Sequence, residues 1–318
     1  MTNKNCLTAA FGHHKCASMW VHSICEQVCR DLGLRLDSVF EDREFGGDLE
    51  RYIRERRTDF LLYGNADFNQ VQRLPLENMR AFHYVRDPRD IVVSAYFSHR
   101  NSHTTQAWPE LIQYREKLRS CSEEQGLFHE LEFRSQQFQE MRSWRDNCAN
   151  GSIRLYKIED VISNPYQAFL EILGFLGILD GEYYSALSRV RFLLAKATGK
   201  LERLVRSTVH LPRGLRAIPA ERLLGIIYER DFSRLSGGRR KGETDPTSHY
   251  RRGVHGDWIN HFSLEHLQFF KERYGDLVLQ YEYESDPDWD RKYVPIIGER
   301  LKNPEVDSRA LLTLPRAS

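Results

Sequence analysis

Lys15 is the first residue whose setting suggests chemistry. It lies in Gly12-His13-His14-Lys15-Cys16-Ala17-Ser18-Met19-Trp20, after a short apolar run from Cys6 to Phe11. Trp20, Val21, Ile24 and Val28 follow, spaced as one face of a helix. The spacing predicts a strand, a tight turn and a helix. A helix's first turn has N–H groups without intrahelical partners, and its dipole favours negative charge, so a turn with a lysine there suits a phosphate. The bland alternative is a solvated surface lysine. The match to the Walker A pattern is partial. No glycine precedes Lys15, and Cys16 stands where that motif places a magnesium-binding hydroxyl.

Two distant stretches bear on the choice. One is His83-Tyr84-Val85-Arg86-Asp87-Pro88-Arg89-Asp90-Ile91-Val92-Val93-Ser94, running on to His99. The other is His249-Tyr250-Arg251-Arg252-Gly253-Val254-His255-Gly256-Asp257-Trp258. With the Lys15 loop, and in the same order over roughly residues 6 to 282, they resemble the sulfotransferases that use 3′-phosphoadenosine 5′-phosphosulfate (PAPS), whose motifs read K-S-G-T-T-W, R-[ND]-P-x-D-x-x-V-S and R-K-G-x-x-G-D-W. The run Tyr156-Lys157-Ile158-Glu159-Asp160, Asn164-Pro165 and Phe175-Leu176-Gly177 is similar to a fourth family segment.

The resemblance implies transfer of the sulfuryl group from PAPS to a hydroxyl or amine of a small acceptor, with adenosine 3′,5′-bisphosphate (PAP) as product and no metal. Lys15 would contact the 5′-phosphate and the bridging oxygen, with backbone N–H groups of Cys16, Ala17, Ser18 and Met19 and the Ser18 hydroxyl beside it. Met19 replaces a family threonine, removing one hydroxyl. Arg86 and Ser94 would hold the 3′-phosphate, and Arg251, Arg252 and the Gly253 backbone would close over it. Adenine would stack between Trp20 and Phe232. Ile158 replaces a tyrosine that often meets adenine. The dimer motif of the animal cytosolic enzymes would read Ile259, Ser263, Leu264 and Gln268 here, with three of its four chemical types lost or weakened, which leaves the oligomeric state open.

An attacking hydroxyl needs a base. The animal enzymes' histidine would fall at Gly64 to Asp67, where no histidine stands. Three candidates remain open: His99, Glu41 (where the heparan-type enzymes carry a glutamate) and Asp67. Two other function classes also remain. A P-loop kinase has the same topology but needs the hydroxyl that Cys16 replaces. A catalytically silent PAPS-binding scaffold would bind PAP without turnover.

The elements around these motifs alternate. Strands are expected near 6–11, 34–40, 59–63, 81–85 and 152–157, and helices near 18–32, 48–57, 90–99, 166–176 and 264–274, the last stopped by Gly275. One or two helices are expected between Trp108 and Trp144. This is an α/β fold: a single domain with a central parallel sheet flanked by helices, spanning 1–283, with a tail from 284 to 318. Residues 189–222 alternate apolar and basic, as a solvated helix pair, as a flap over an acidic or amphiphilic acceptor, or as a membrane-surface contact. Residues 236–249, with two glycines at 237 and 238, read as a mobile loop.

Composition narrows the class. The chain has 318 residues, 41% hydrophobic and 29% charged, and a net charge of +1, so nothing calls for nucleic acid or an anionic membrane. No apolar run approaches the ~20 residues of a transmembrane helix. The start leads directly into the first expected strand, so no signal peptide is expected, and the six scattered cysteines suit free thiols. A cytoplasmic protein is the expectation.

Overall fold

The computed structural model describes residues 6–106, 108–144, 151–181, 190, 193–194, 217–248 and 250–303. Most of the 189–222 segment, Cys148, His249 and the tail from 304 lie outside the described residues.

Along the chain the strands are β1 (Leu7–Phe11), β2 (Leu36–Val39), β3 (Phe60–Tyr63), β4 (Met79–Val85) and β5 (Ile153–Lys157). The helices that matter below are α1 (Ser18–Leu32), α2 (Leu49–Arg56), α3 (Phe68–Val71), α4 (Pro88–Phe97), α5 (Leu111–Arg119), α6 (Glu123–Phe133), α7 (Ser135–Ser143), α8 (Ile158–Ser163), α9 (Pro165–Leu176), α10 (Ala220–Glu229), α11 (Phe232–Leu235), α12 (Leu264–Gln280) and α13 (Val294–Lys302).

Residues 6–85 and 143–234 form one compact unit, and residues 86–142 and 235–303 a second. The first holds the sheet, all parallel, in the order β2-β3-β1-β4-β5. Central β1 lies between β3 and β4, and Ala9, Ala10, Phe11, Leu61, Leu62 and Tyr63 are wholly buried. Burial on both faces explains why these strands read as continuous apolar runs rather than alternating ones. Chain order reverses beside β1, so the loop after β1 sits where open α/β sheets bind ligands. α1 buries Val21, Ile24, Cys25, Val28, Cys29 and Leu32 along one face and ends at Gly33, which is left-handed at φ 66.

The second unit is helical. Phe138, Phe270 and Tyr274 pack edge to face between α7 and α12. Tyr274 donates to Leu131 O (2.9 Å) and Tyr281 to Met141 O (2.7 Å).

Two expectations about helices are corrected. Three helices, α5, α6 and α7, occupy the stretch read as one or two. And α12 runs through Gly275 to Gln280. Gly275 is buried, and a Cβ there would sit 3.1 Å from Lys271 and 3.8 Å from Trp289 Nε1. The glycine gives clearance inside the helix instead of ending it. The helix ends at Tyr281 and Glu282, the latter left-handed at φ 54.

The segment after Glu284 packs as far as it is described. Trp289 is 1% exposed, and Glu284 accepts from Arg89 Nη1 (2.7 Å) and Tyr293 OH (2.7 Å).

Candidate functional site

In the first unit the turn after β1 is tightly built. Gly12 donates to Tyr63 O and accepts from Ala66 N–H, each at 2.9 Å, so β3 and its following loop clamp the turn. A Cβ on Gly12 would lie 2.1 Å from the Tyr84 ring, which leaves glycine as the residue that fits. Lys15 (φ 66) and Ala17 (φ 58) are both left-handed. Such geometry is costly for residues with a Cβ and turns successive N–H groups toward one side, as anion-binding loops do. Ala17 occupies the glycine of the K-S-G-T-T-W pattern, and its backbone keeps the conformation glycine would supply. α1 starts immediately: the first intrahelical bonds run from Trp20 and Val21 N–H to Ala17 O (3.0 and 3.2 Å), which leaves Ser18 and Met19 N–H in the helix's unpaired first turn.

The side chains of this loop divide. Lys15 is half-buried and the Met19 side chain is exposed, while Cys16 is wholly buried. Ser18 Oγ donates to His13 O (3.0 Å), so its hydrogen closes the loop and would have to turn to reach a ligand. Trp20 Nε1–H donates to Arg230 O (2.9 Å), and the ring meets Phe169 edge to face at 5.5 Å. Phe232 begins α11 two residues past Arg230. Trp20 and the approach to Phe232 are thus joined directly, although they are far apart in sequence.

A pair that sequence reasoning missed lies beneath the loop. His13 Nε2 and His83 Nε2 are 2.8 Å apart, with both rings wholly buried. Burial lowers His13 to about 3 and holds His83 well below its ordinary value, with the His13 charge adding to the effect. Both are neutral near pH 7, one donating to the other. His83 stacks on Trp144 (3.9 Å), whose indole N–H donates to Ala66 O (2.7 Å). The only sequence signal was a histidine inside the otherwise apolar run 81–85. The register that pairs Phe11 with His83 brings the two together.

In the second unit Asp87 caps α4 by accepting from Arg89 N–H (2.9 Å), and its carboxylate takes a two-pronged pair from the Arg89 guanidinium (2.9 and 2.7 Å). Asp90 accepts the N–H groups of Gly256 (2.6 Å) and Trp258 (2.9 Å), tying the R-R-G-x-x-G-D-W segment to α4. Arg86, just before α4, is half-buried, as is Ser94 one turn beyond Asp90.

Arg251 and Arg252 both pair with the buried carboxylate of Asp257. The Arg251 guanidinium lies 4.6 Å over the Phe97 ring, three residues along α4 from Ser94 and so on the same helical face. Gly253 follows, left-handed at φ 66. Burial resists the Asp257 charge, but hydrogen bonding from His261 and the Arg251 charge outweigh it and hold Asp257 far below the usual carboxylate range. His261 sits with Nδ1 2.7 Å from Glu123 and Nε2 3.4 Å from Asp257. Burial opposes its charge, yet hydrogen bonding to the two carboxylates raises its pKa.

The three base candidates have different surroundings. Glu41 is exposed and paired with Arg43 (2.7 Å). Asp67 caps α3, accepting from Asn69 N–H (3.0 Å). His99 lies in a π-helical turn, Ser98–Ser102, that extends α4; such turns recur at functional sites. Its Nδ1 is 2.7 Å from Glu130 Oε1, and both groups are wholly buried. Arg115 holds the turn by donating to His99 O (2.7 Å) and His103 O (2.5 Å). Glu130 was not singled out in sequence, because a glutamate in a polar helix carries no mark of its distant partner.

No family model matches the chain, and no curated relative matches it in sequence. Among solved structures, the mouse sulfotransferase SULT7A1 complexed with PAP is 14% identical, covering 91% of this chain and 89% of that one, with a TM-score of 0.51. A retinol dehydratase in complex with androsterone and inactive cofactor PAP is 12% identical over 87% of this chain and 82% of that one, with a TM-score of 0.46. The chain has the sulfotransferase fold. Among the described residues no helix is long and apolar enough to cross a membrane.

Proposed function

We propose that this chain is a PAPS-dependent sulfotransferase acting on a hydroxyl or amine of a small acceptor. The observation that carries the reading is the loop after β1. It combines left-handed Lys15 and Ala17, unpaired helix-start N–H groups and a cation at the switch point of a parallel sheet, without the hydroxyl a magnesium nucleotide site requires. The fold shared with a PAP-bound sulfotransferase agrees with it.

In this reading the acceptor oxygen attacks sulfur in line, the bond between sulfur and the bridging oxygen breaks, and PAP leaves. Charge builds on that bridging oxygen, and Lys15 there stabilises the transition state more than the ground state. Arg86, Ser94, Arg251, Arg252 and the Gly253 backbone are proposed for the 3′-phosphate, and Trp20 and Phe232 for adenine. Of the base candidates we favour His99: a carboxylate on Nδ1 fixes the tautomer whose Nε2 accepts a proton, as a general base requires. Its ring is wholly buried, with the rings of Trp108, His103, Tyr114 and Phe133 packed around it.

Nucleotide titration tests the reading. PAP should bind without magnesium and ATP should compete poorly, and labelled PAPS with an acceptor library should then give turnover. Tight magnesium-dependent ATP binding instead would favour a kinase, and PAP binding without turnover on any acceptor a silent scaffold.

A further inference from the structure

The described residues of 236–249, read in sequence as a mobile loop, are organised together with residues 250–252 around one side chain. The Arg239 guanidinium donates to Arg251 O (2.9 Å), Tyr250 O (2.8 Å) and Ser248 Oγ (2.8 Å), and more weakly to Ser236 O and Glu243 O (both 3.3 Å). The backbone adds to this lacing. Gly242 N–H donates to Arg252 O (2.8 Å) and Asp245 N–H to Arg251 O (2.9 Å). Gly242 is left-handed at φ 99, so this turn suits glycine. Arg251 O therefore accepts from both Arg239 and Asp245, and the carbonyls of residues 250, 251 and 252 are all fixed from within the loop.

We propose that Arg239 is a positioning residue: it sets the backbone from which Arg251 and Arg252 are aimed, so that preference for a nucleotide bearing a 3′-phosphate depends on an arginine that does not contact it. This rests on the donor reading above. The physical reason is that long arginine side chains lose much rotamer freedom on binding an anion, and a fixed backbone with Asp257 on their guanidinium groups removes part of that cost beforehand. Only a planar fork with five donors spans these acceptors. A lysine has the charge but not the geometry.

The test compares Kd for PAP and for 5′-AMP by calorimetry in the wild-type chain, Arg239→Ala, Arg239→Lys and Arg251→Ala. The wild type should prefer PAP, and Arg251→Ala should lose that preference. Arg239→Ala and Arg239→Lys should each lose about tenfold of it or more, with 5′-AMP affinity within about twofold of wild type. An Arg239→Lys variant that keeps the preference overturns the proposal, because charge alone then suffices. Equal losses for both nucleotides overturn it too, as a general structural defect. Should Arg239→Ala fail to fold, Arg239→Lys, checked by thermal melting, decides alone. A wild type with no preference for PAP defeats the donor reading itself and this inference with it, which the Arg251→Ala arm separates from a failure of Arg239 alone.

Discussion

His13 and His83 meet through their Nε2 atoms, 2.8 Å apart, directly beneath the loop that carries Lys15. Burial depresses the pKa of both, His13 to about 3, and also that of His22, to about 4. A depressed histidine contributes stability that is complete above its unfolded value near 6.5 and is lost as pH falls toward the folded value. Urea melts should therefore show stability falling from pH 6.5 to 5, a window above most carboxylate titrations. The slope should approach 1.4 kcal/mol per pH unit for each proton taken up, roughly two to three protons from these three histidines. His261, whose pKa is raised, acts oppositely, with stability lost only as pH rises through its folded value. Equal stability at pH 5 and 6.5 would show that the pair is not held neutral.

Ala17 is left-handed at the position of the family's glycine. Ala17→Gly should relieve ~1–2 kcal/mol of local strain against ~0.5–1 kcal/mol of added unfolded-state entropy, a small net stabilisation. PAP affinity should be kept. Ala17→Val, with a branched Cβ, should destabilise and weaken PAP binding. Denaturation midpoints and calorimetry check both, and a destabilised Ala17→Gly would mean that the Cβ contributes packing the strain argument ignores.

Lys15→Ala should abolish turnover while weakening PAP binding more modestly, since its work is on charge that develops as sulfuryl leaves. Arg86→Ala and Arg251→Ala should each weaken PAPS binding by ~1.5–3 kcal/mol but barely alter binding of adenosine 5′-phosphosulfate, which has no 3′-phosphate. An unchanged turnover number for Lys15→Ala ends the loop assignment.

If His99 is the base, His99→Ala should lose ~10²–10⁴-fold in rate at unchanged PAP affinity. Glu130→Gln keeps the hydrogen bond but removes the charge on Nδ1, so it should lower the rate less and move the acidic limb of the pH–rate profile downward. Glu41→Gln and Asp67→Asn should retain near-wild-type rates. A profile unmoved by Glu130→Gln would make the buried pair a packing feature.

Arg89 is buried between Asp87 and Glu284, with its guanidinium 4.3 Å over Trp258 and 4.9 Å over Trp289. Removing one partner of such a pair costs roughly 3–5 kcal/mol. A chain ending at residue 283 should therefore melt well below the full chain, and Arg89→Met should cost less than Arg89→Ala. Equal melting temperatures for the truncated and full chains would mean that the segment after Glu284 is a true tail.

The sequence alone determined what is local. Trp20, Val21, Ile24 and Val28 marked α1 because helical period is a property of neighbours. The apolar runs marked the buried strands, and the order of three short motifs pointed to the sulfotransferase fold. Gly275 misled because a glycine that ends a helix and one that sits inside it against the Lys271 side chain look alike in sequence. Tertiary structure decided the partners: His83 for His13, Glu130 for His99, Asp257 for Arg251 and Arg252, and Arg239 for the loop before them. Those first two pairs lie 70 and 31 residues apart. Strand register and helix packing bring them together, and neither is written in the spacing of the residues that meet.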